Sequence, residues 1–304
     1  MLLIASPRFA EHTTPPGHPE RPERAGVFDV VAAEFGRRGG RVLAPTAAAR
    51  EDLARVHTTP YLDRVAATAG VAAQLDPDTF TSPESHEIAL LATGAAMQAA
   101  RHARDHGEPA LALVRPPGHH AESDRAMGFC LYNNIAIAAA ALRADGADRV
   151  AIVDIDVHHG NGTQSSFYAD PTVLFVSSHQ FPYYPGTGAA DEIGSGAGRG
   201  FTLNLPMEAG AVDVEYEDLY ASLVIPALES FAPDVILVSA GYDAHERDPL
   251  AGMRMTTAGY ARLVALLDAA AARLCGRRIA FITEGGYDLL ALQECLAATI
   301  DVLD

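Results

Sequence analysis

The chain has 304 residues, 49% of them hydrophobic, and a formal net charge of −17 at pH 7. This length and apolar content suffice for one large core, and the charge argues against nucleic-acid binding through a basic surface while allowing cationic substrates or basic partner segments. No run approaches the roughly 18 apolar residues of a membrane span, and three cysteines without a CxxC pattern are typical of a reduced, cytoplasmic protein.

Short apolar runs of strand type alternate along the chain with segments of helical periodicity. The strand-like runs lie at 2–5, 110–114, 150–155, 172–177, 201–205, 234–239 and 279–283, and helices are predicted over 23–36, 83–106, 133–144, 214–230, 257–274 and 288–303. Pro83 after Ser82 is typical of the first residue of a helix behind its N-cap. The alternation predicts a single, mainly parallel β-sheet sandwiched between α-helices. Because no linker divides the chain, we expect one domain over 1–304.

The strand predicted at 110–114 is followed by a Pro-Pro-Gly turn and then by His119 and His120. The restricted backbone of this turn fixes the direction of the two side chains. Neutral imidazole can take a proton from water near neutral pH, and imidazolium can return one to a leaving amine. A tandem histidine pair alone is more often structural, but beside a metal-binding segment it indicates catalysis.

Such a segment follows the strand predicted at 150–155, where the sequence reads Asp154-Ile-Asp156-Val-His158-His-Gly. If the strand continues to residue 158, alternation places Asp154, Asp156 and His158 on one face. Asp156 and His158 with one further carboxylate would leave a coordination position open for water, as in a catalytic zinc site. The alternative, a solvated strand end, is unfavourable because three unpaired ionisable groups would face inward.

Two later strand ends supply further groups. Asp243 follows the strand at 234–239, and Tyr287 follows the strand at 279–283 after a Gly-Gly pair. Asp243 could be the third metal ligand, and Tyr287 could donate a hydrogen bond to an oxyanion. Taken singly, Asp243 would be interpreted as a helix cap and Tyr287 as a rim aromatic. The carboxyl ends of parallel strands meet at one edge of the sheet, so the four segments together predict a metal hydrolase.

Several of these segments resemble one known superfamily. The strings RPPGHH, GFCLYNN, DIDVHHGNGTQ, SSHQFPYYPGTG, SAGYDAHERDPL and EGGY, with HPERPER at 18–24, are similar to those of histone deacetylases and acetylpolyamine amidohydrolases, nearest to the class II-like bacterial members. The resemblance covers nearly the whole chain. It implies the arginase/deacetylase fold and a zinc-dependent hydrolase of linear amide C–N bonds.

The resemblance also implies the ion sites. Asp156, His158 and Asp243 correspond to the ligands of one Zn²⁺ per chain, for which Fe²⁺ is an alternative in cells. Ser177 and Ser178 resemble part of a structural monovalent-cation site, expected to hold K⁺. The remaining ligands of that site would come from Asp154, Asp156 and His158.

His119, His120 and Tyr287 correspond to the family's catalytic groups. Asp154 would fix the tautomer of His119 and raise its basicity. Asn161 takes the place of an aspartate that many relatives pair with the second histidine, so we expect a lower pKa for His120 than with a carboxylate partner. Which histidine protonates the leaving amine stays open.

By the same resemblance, Phe129 and Tyr184 flank a narrow channel for the aliphatic stem of the substrate, and Gly128 leaves room at its base. Ordinary core packing is the alternative for the two aromatics. Asp78 corresponds to a rim acid that holds the substrate. Leu250 takes the position at which polyamine-selective relatives carry an acidic residue, and therefore favours an acyl-lysine or related acylated amine.

The resemblance implies that metal-activated water hydrolyses the acetamide to acetate and a free amine. An acetylpolyamine amidohydrolase is one alternative, because an acidic surface attracts polyamines. An arginase-like ureohydrolase would need a second metal ion with extra bridging carboxylates. A non-catalytic acyl-amine binding protein would not need Tyr287 and both tandem histidines. The oligomeric state stays open.

Overall fold

A parallel β-sheet of eight strands runs through the centre of the computed structural model, which describes residues 1–304. Its strands follow the order β2-β1-β5-β10-β9-β6-β7-β8, and every neighbouring pair is parallel, whereas β3 and β4 form a separate antiparallel hairpin. The mainly parallel sheet is therefore confirmed. The strands are β1 (Leu2–Ile4), β2 (Arg41–Leu43), β3 (Ala73–Asp76), β4 (Thr79–Thr81), β5 (Ala110–Ala112), β6 (Val150–Asp154), β7 (Val173–Gln180), β8 (Thr202–Met207), β9 (Val235–Ala240) and β10 (Ile279–Thr283).

Helices connect the strands and cover both faces of the sheet. They are α1 (Glu23–Arg37), α2 (Arg50–Leu53), α3 (Thr59–Ala66), α4 (Ser85–His106), α5 (Asn134–Ala144), α6 (Asn161–Phe167), α7 (Asp213–Leu219), α8 (Ile225–Phe231), α9 (Thr257–Cys275) and α10 (Leu289–Leu303). None of them combines the length and apolar character needed to cross a bilayer.

The two hydrophobic cores follow from the alternation of side chains along each buried strand. In β6, Val150 and Ile152 belong to the core beneath α4 and α5, while Ala151 and Val153 belong to the core beneath α1, α9 and α10. Each core contains 42 buried residues. Because both faces are covered, the central strands are mainly apolar, and polar side chains gather toward the strand ends.

Two helix predictions were wrong in detail. Pro83 does not begin α4. The amide of Ser82 donates a hydrogen bond to the hydroxyl of Ser85 at 2.7 Å and closes a turn, so that the helix begins at Ser85. The helix predicted over 214–230 is interrupted by a π-helical turn at Tyr220–Val224, which ends two residues before Pro226. Proline lacks the amide hydrogen that a continuous α-helix requires.

Four neighbouring strands, β5, β10, β9 and β6, end at the same edge of the sheet. The segments that follow them contain all four polar strings identified from the sequence. Ligands of open parallel sheets bind at this edge.

Candidate active site

Asp156, His158 and Asp243 bring three potential metal-binding atoms to within 4.8 Å of one another. Nδ1 of His158 lies 3.1 Å from Asp156 Oδ1 and 3.1 Å from Asp243 Oδ2. Burial by itself would lower the pKa of His158, but its hydrogen bonds to the two carboxylates prevail and raise that pKa to about 10. The buried carboxylates of Asp156 and Asp243 therefore lie beside an imidazole whose positively charged form they stabilise. Two oxygen donors and one nitrogen donor fit a divalent metal ion there.

The way in which these residues converge differs from the prediction. The strand β6 ends at Asp154, so residues 155–158 do not alternate as a strand. Instead, Asp154 Oδ1 accepts a hydrogen bond from the amide of Asp156 at 3.1 Å, and Asp156 Oδ1 accepts one from the amide of His158 at 3.0 Å. Aspartate commonly closes such turns two residues ahead. Two successive turns, rather than a strand face, orient the predicted ligands.

Glycines make room for the carboxylates. A Cβ on Gly241 would lie 2.1 Å from Asp156 Oδ2, and a Cβ on Gly285 would lie 2.1 Å from Asp243 Oδ2. Backbone amides orient the same groups, since Gly285 donates to Asp156 Oδ2 at 2.8 Å and Val157 donates to Asp243 Oδ1 at 2.9 Å. The carboxylates are therefore held in place by the backbone of two different strand ends.

The tandem histidines have different partners. Nδ1 of His119 lies 2.9 Å from Asp154 Oδ2, and Nδ1 of His120 lies 2.8 Å from Asn161 Oδ1, as the resemblance implied. Burial would lower the pKa of His119, but the carboxylates of Asp154 and Asp156 raise it well above its usual value. Burial and the neighbouring imidazoles of His119 and His158 hold the pKa of His120 well below its usual value. One histidine favours the charged form and the other the neutral form.

Glu284 holds the histidine turn and was missed in the sequence. Its Oε2 accepts hydrogen bonds from the amides of Gly118 at 2.6 Å and His119 at 3.1 Å. The side chain is fully buried, and burial raises its pKa to about 7. An acidic residue directly after an apolar strand was the available signal, but its partners are about 165 residues away in sequence.

Tyr287 is fixed from two sides. Its amide donates to Asp248 Oδ2 at 2.6 Å, and the guanidinium of Arg24 lies 5.1 Å from the centre of its ring. Arg24 itself donates to the carbonyl of Gly286 at 2.8 Å. Burial and the negative charge of Asp243 raise the pKa of the phenol well above its usual value. The phenol therefore stays protonated and can donate a hydrogen bond.

A cavity of about 200 Å³ joins these groups to the surface. All five residues predicted to contact the substrate line it, together with one that the sequence reasoning missed, Tyr183. The ring of Tyr183 stacks on His158 with centroids 5.8 Å apart, and its hydroxyl donates to the carbonyl of Leu250 at 2.6 Å. The cavity is lined by Asp78, His120, Gly128, Phe129, His158, Tyr183, Tyr184, Leu250 and Tyr287.

Ser177 and Ser178 lie on β7 beside the end of β6, where Ser177 is paired with Asp154. The hydroxyl of Ser177 lies 2.9 Å from Nδ1 of His179, and that of Ser178 lies 2.9 Å from the hydroxyl of Tyr220. Both hydroxyls are thus hydrogen-bonded within the protein.

Polar groups from four adjacent strand ends lie around one narrow cavity. This arrangement is that of an α/β protein with the arginase/deacetylase fold. Residues 18–303 match the histone deacetylase domain family. The chain is 41% identical over 294 residues to histone deacetylase 15 of Arabidopsis thaliana, which covers 94% of this chain and 52% of the plant protein. It is 43% identical over 263 residues to the histone deacetylase-like amidohydrolase of Pseudomonas aeruginosa, covering 84% of this chain and 68% of that protein.

The crystal structure of the HDA15 HD domain superimposes with a TM-score of 0.94 at 38% identity, and covers 99% of this chain and 88% of that chain. The chain therefore belongs to the histone deacetylase family, whose matching relatives are named deacetylases and amidohydrolases, that is, hydrolases of amide bonds. It spans about half the length of the Arabidopsis relative.

Proposed function

We propose that residues 1–304 form a single catalytic domain, a zinc-dependent deacetylase that converts an acetylated amine to acetate and free amine. The observation that carries this proposal is the cluster of three metal-binding atoms, from Asp156, His158 and Asp243, which meets the cavity through His158, a residue that lines it together with His120 and Tyr287. Metal, base and hydrogen-bond donor are three elements that metal-assisted amide hydrolysis by water uses.

The metal fits the residues at this position. Asp156 and Asp243 are each 1% exposed, so their charges need a buried cation. When bound, Zn²⁺ would polarise the substrate carbonyl and lower the pKa of water. The same oxygen and nitrogen donors suit Fe²⁺ as a second candidate in cells. The one cluster of three donors favours a single metal ion over the two of an arginase-like ureohydrolase.

His120 is the proposed base. Asn161 Nδ2 donates to the carboxylate of Glu122 at 2.8 Å, which can only accept, so Asn161 Oδ1 faces His120. The proton of a neutral His120 therefore lies on Nδ1, and the lone pair of Nε2 is free to take a proton from the attacking water. An amide stabilises imidazolium less than a carboxylate does, so His120 returns that proton readily to the leaving amine.

His119 and Tyr287 stabilise charge. The His119–Asp154 pair keeps an imidazolium beside the reacting atoms, because a carboxylate 2.9 Å away favours the charged ring. Tyr287, protonated and oriented by Asp248, donates a hydrogen bond to the oxygen that becomes negative. A protein that only binds acyl amines would need neither group, which supports the catalytic interpretation.

The cavity favours an acetyl-lysine side chain or a similar acylated amine as substrate. About 200 Å³ between Phe129 and Tyr184 suits a linear aliphatic stem with a short acyl group. Leu250 offers no charge to the distal ammonium of a polyamine, and Asp78 can accept a hydrogen bond at the rim. The net charge of −17 favours the other candidate, an acetylpolyamine, so the substrate panel below includes both.

The proposal also includes a structural cation site and a cellular location. A structural K⁺ would be held by Ser177 and Ser178 together with the backbone of residues 154–158, since each serine hydroxyl, although hydrogen-bonded within the protein, keeps an oxygen lone pair for a cation. Reduced cysteines, all three of them buried and unpaired, support a cytoplasmic location.

Acetate release from acetyl-lysine peptides, acetylputrescine and acetylspermidine tests the proposal. We expect Asp156→Ala, His120→Ala and Tyr287→Phe each to lose turnover, while only Asp156→Ala also loses bound metal. Full activity in both His120→Ala and Tyr287→Phe would reject the assigned roles.

A further inference from the structure

The turn at Gly128–Phe129 has an unusual backbone. Phe129 has φ +69° and Gly128 has φ +56°, both in the left-handed region. A bulky side chain rarely adopts this conformation, which persists only when surrounding groups hold it. Phe129 forms one wall of the cavity, so whatever holds the turn also determines the position of that wall.

Two residues of the β3–β4 hairpin hold this turn, although they lie 50 residues earlier in the sequence. Asp78 Oδ1 accepts a hydrogen bond from the amide of Gly128 at 3.1 Å, and Thr79 Oγ1 accepts one from the amide of Phe129 at 3.0 Å. The hydroxyl of Thr79 in turn donates to Asp78 Oδ1 at 2.8 Å. Thr79 is fully buried, so water cannot replace its hydroxyl.

The turn lies against the proposed catalytic groups. The ring of Phe129 meets that of Tyr287 edge to face, with centroids 5.8 Å apart. A Cβ on Gly128 would lie 2.3 Å from Cδ2 of His120, so the backbone there packs directly on the proposed base. A displacement of the turn would therefore widen the cavity between Phe129 and its opposite wall.

We propose that Thr79 is a positioning residue that fixes the Phe129 wall and thereby makes the channel selective for unbranched stems. The inference rests on the proposed function, in which this cavity receives the stem of an acylated amine. Thr79 does not line the cavity, and its hydroxyl acts on the turn through the amide of Phe129 and through Asp78, which holds the amide of Gly128. Its hydroxyl, rather than its size, carries the effect.

Thr79→Val tests this, because valine keeps the shape of threonine and removes the hydroxyl. The measured quantity is the ratio of kcat/KM for an acetamide with a linear stem to that for one with a methyl-branched stem. This ratio is independent of the fraction of active enzyme. We expect Thr79→Val to lower the ratio about tenfold, the scale of discrimination that one methyl group provides in a shaped pocket. Thr79→Ser, which restores the hydroxyl, is expected to retain the wild-type ratio.

Thr81→Val is the matched control. Thr81 is a buried threonine of the same hairpin whose hydroxyl bonds only to Ala73, so its loss should leave the ratio unchanged. A wild-type ratio in folded Thr79→Val would overturn the inference, as would an equal fall in Thr81→Val. If Thr79→Val does not fold, Thr79→Ala takes its place.

A binding measurement separates this inference from the proposed function. Where no turnover is observed, calorimetry with linear and branched N-alkyl acetamides still compares affinities. If the wild-type protein releases no acetate, the deacetylase proposal fails, while the ratio of the two affinities in wild type and Thr79→Val still decides the role of Thr79. Equal affinity ratios in the two proteins would reject it.

Discussion

Replacing Gly285 by alanine should weaken metal binding and slow turnover without removing any ligand. The added Cβ would lie 2.1 Å from Asp243 Oδ2 and 2.7 Å from Asp156 Oδ2, and side-chain carbons essentially never approach other atoms within 3.0 Å. The φ of Gly285 lies outside the left-handed region, so alanine suits the backbone and the effect is steric. One or both carboxylates must therefore move by about 1 Å, a displacement that costs about 100-fold in turnover.

The assay is zinc content after dialysis together with acetate release at saturating substrate. We expect Gly285→Ala to retain less zinc than wild type and to lose about 100-fold in activity. Gly26→Ala is the matched control, since Gly26 lies on the exposed side of α1 with nothing within 4 Å of an added Cβ. A Gly285→Ala protein with stoichiometric zinc and wild-type turnover would refute the geometry of the site.

Four further predictions concern stability. Glu20→Gln leaves the buried guanidiniums of Arg24 and Arg115 without their carboxylate. We expect it to lower the free energy of unfolding, measured in urea, by about 3–5 kcal/mol. A loss below about 1 kcal/mol would contradict this prediction. Burial would raise the pKa of Glu20, but the charge of Arg115 and the hydrogen bond to His12, with further help from Arg24, hold it well below 4.5. The stabilisation by Glu20 is therefore complete above that pH and is lost as the pH falls below it. Glu20→Gln should flatten this part of the pH profile of stability, and an unchanged slope would count against this assignment. Gly26→Ala should raise the free energy of unfolding by about 0.5–1 kcal/mol through helix propensity. Added zinc should raise the melting temperature of the chelator-treated protein and not that of Asp156→Ala, and an equal rise in both would place the ion elsewhere.

The sequence predicted the central strands well, because strands covered on both faces contain mainly apolar runs. All seven predicted strands exist, within one to two residues at most ends. The strand β2 was missed, since its three residues at the sheet edge are exposed and form no apolar run. The β3–β4 hairpin was missed for a related reason, as its strands cover only three or four residues and alternate weakly.

The sequence predicted those groups of the candidate site that come directly after strands. Asp156, Asp243 and Tyr287 each come after a buried strand, and the parallel topology brings those strand ends together. Glu284 and Thr79 could not be assigned, because each acts on a backbone amide that only the folded chain places nearby. Local patterns identify the groups that are proposed to carry chemistry, whereas the groups that position them depend on long-range contacts.

The most direct test of the account is a titration of the metal-free protein with zinc while acetate release from an acetyl-lysine peptide is followed. We predict that activity rises linearly and reaches its plateau at one zinc per chain, and that Asp156→Ala stays inactive throughout. A plateau at two metal ions per chain, or no acetate release at any zinc concentration, would contradict the single site formed by Asp156, His158 and Asp243.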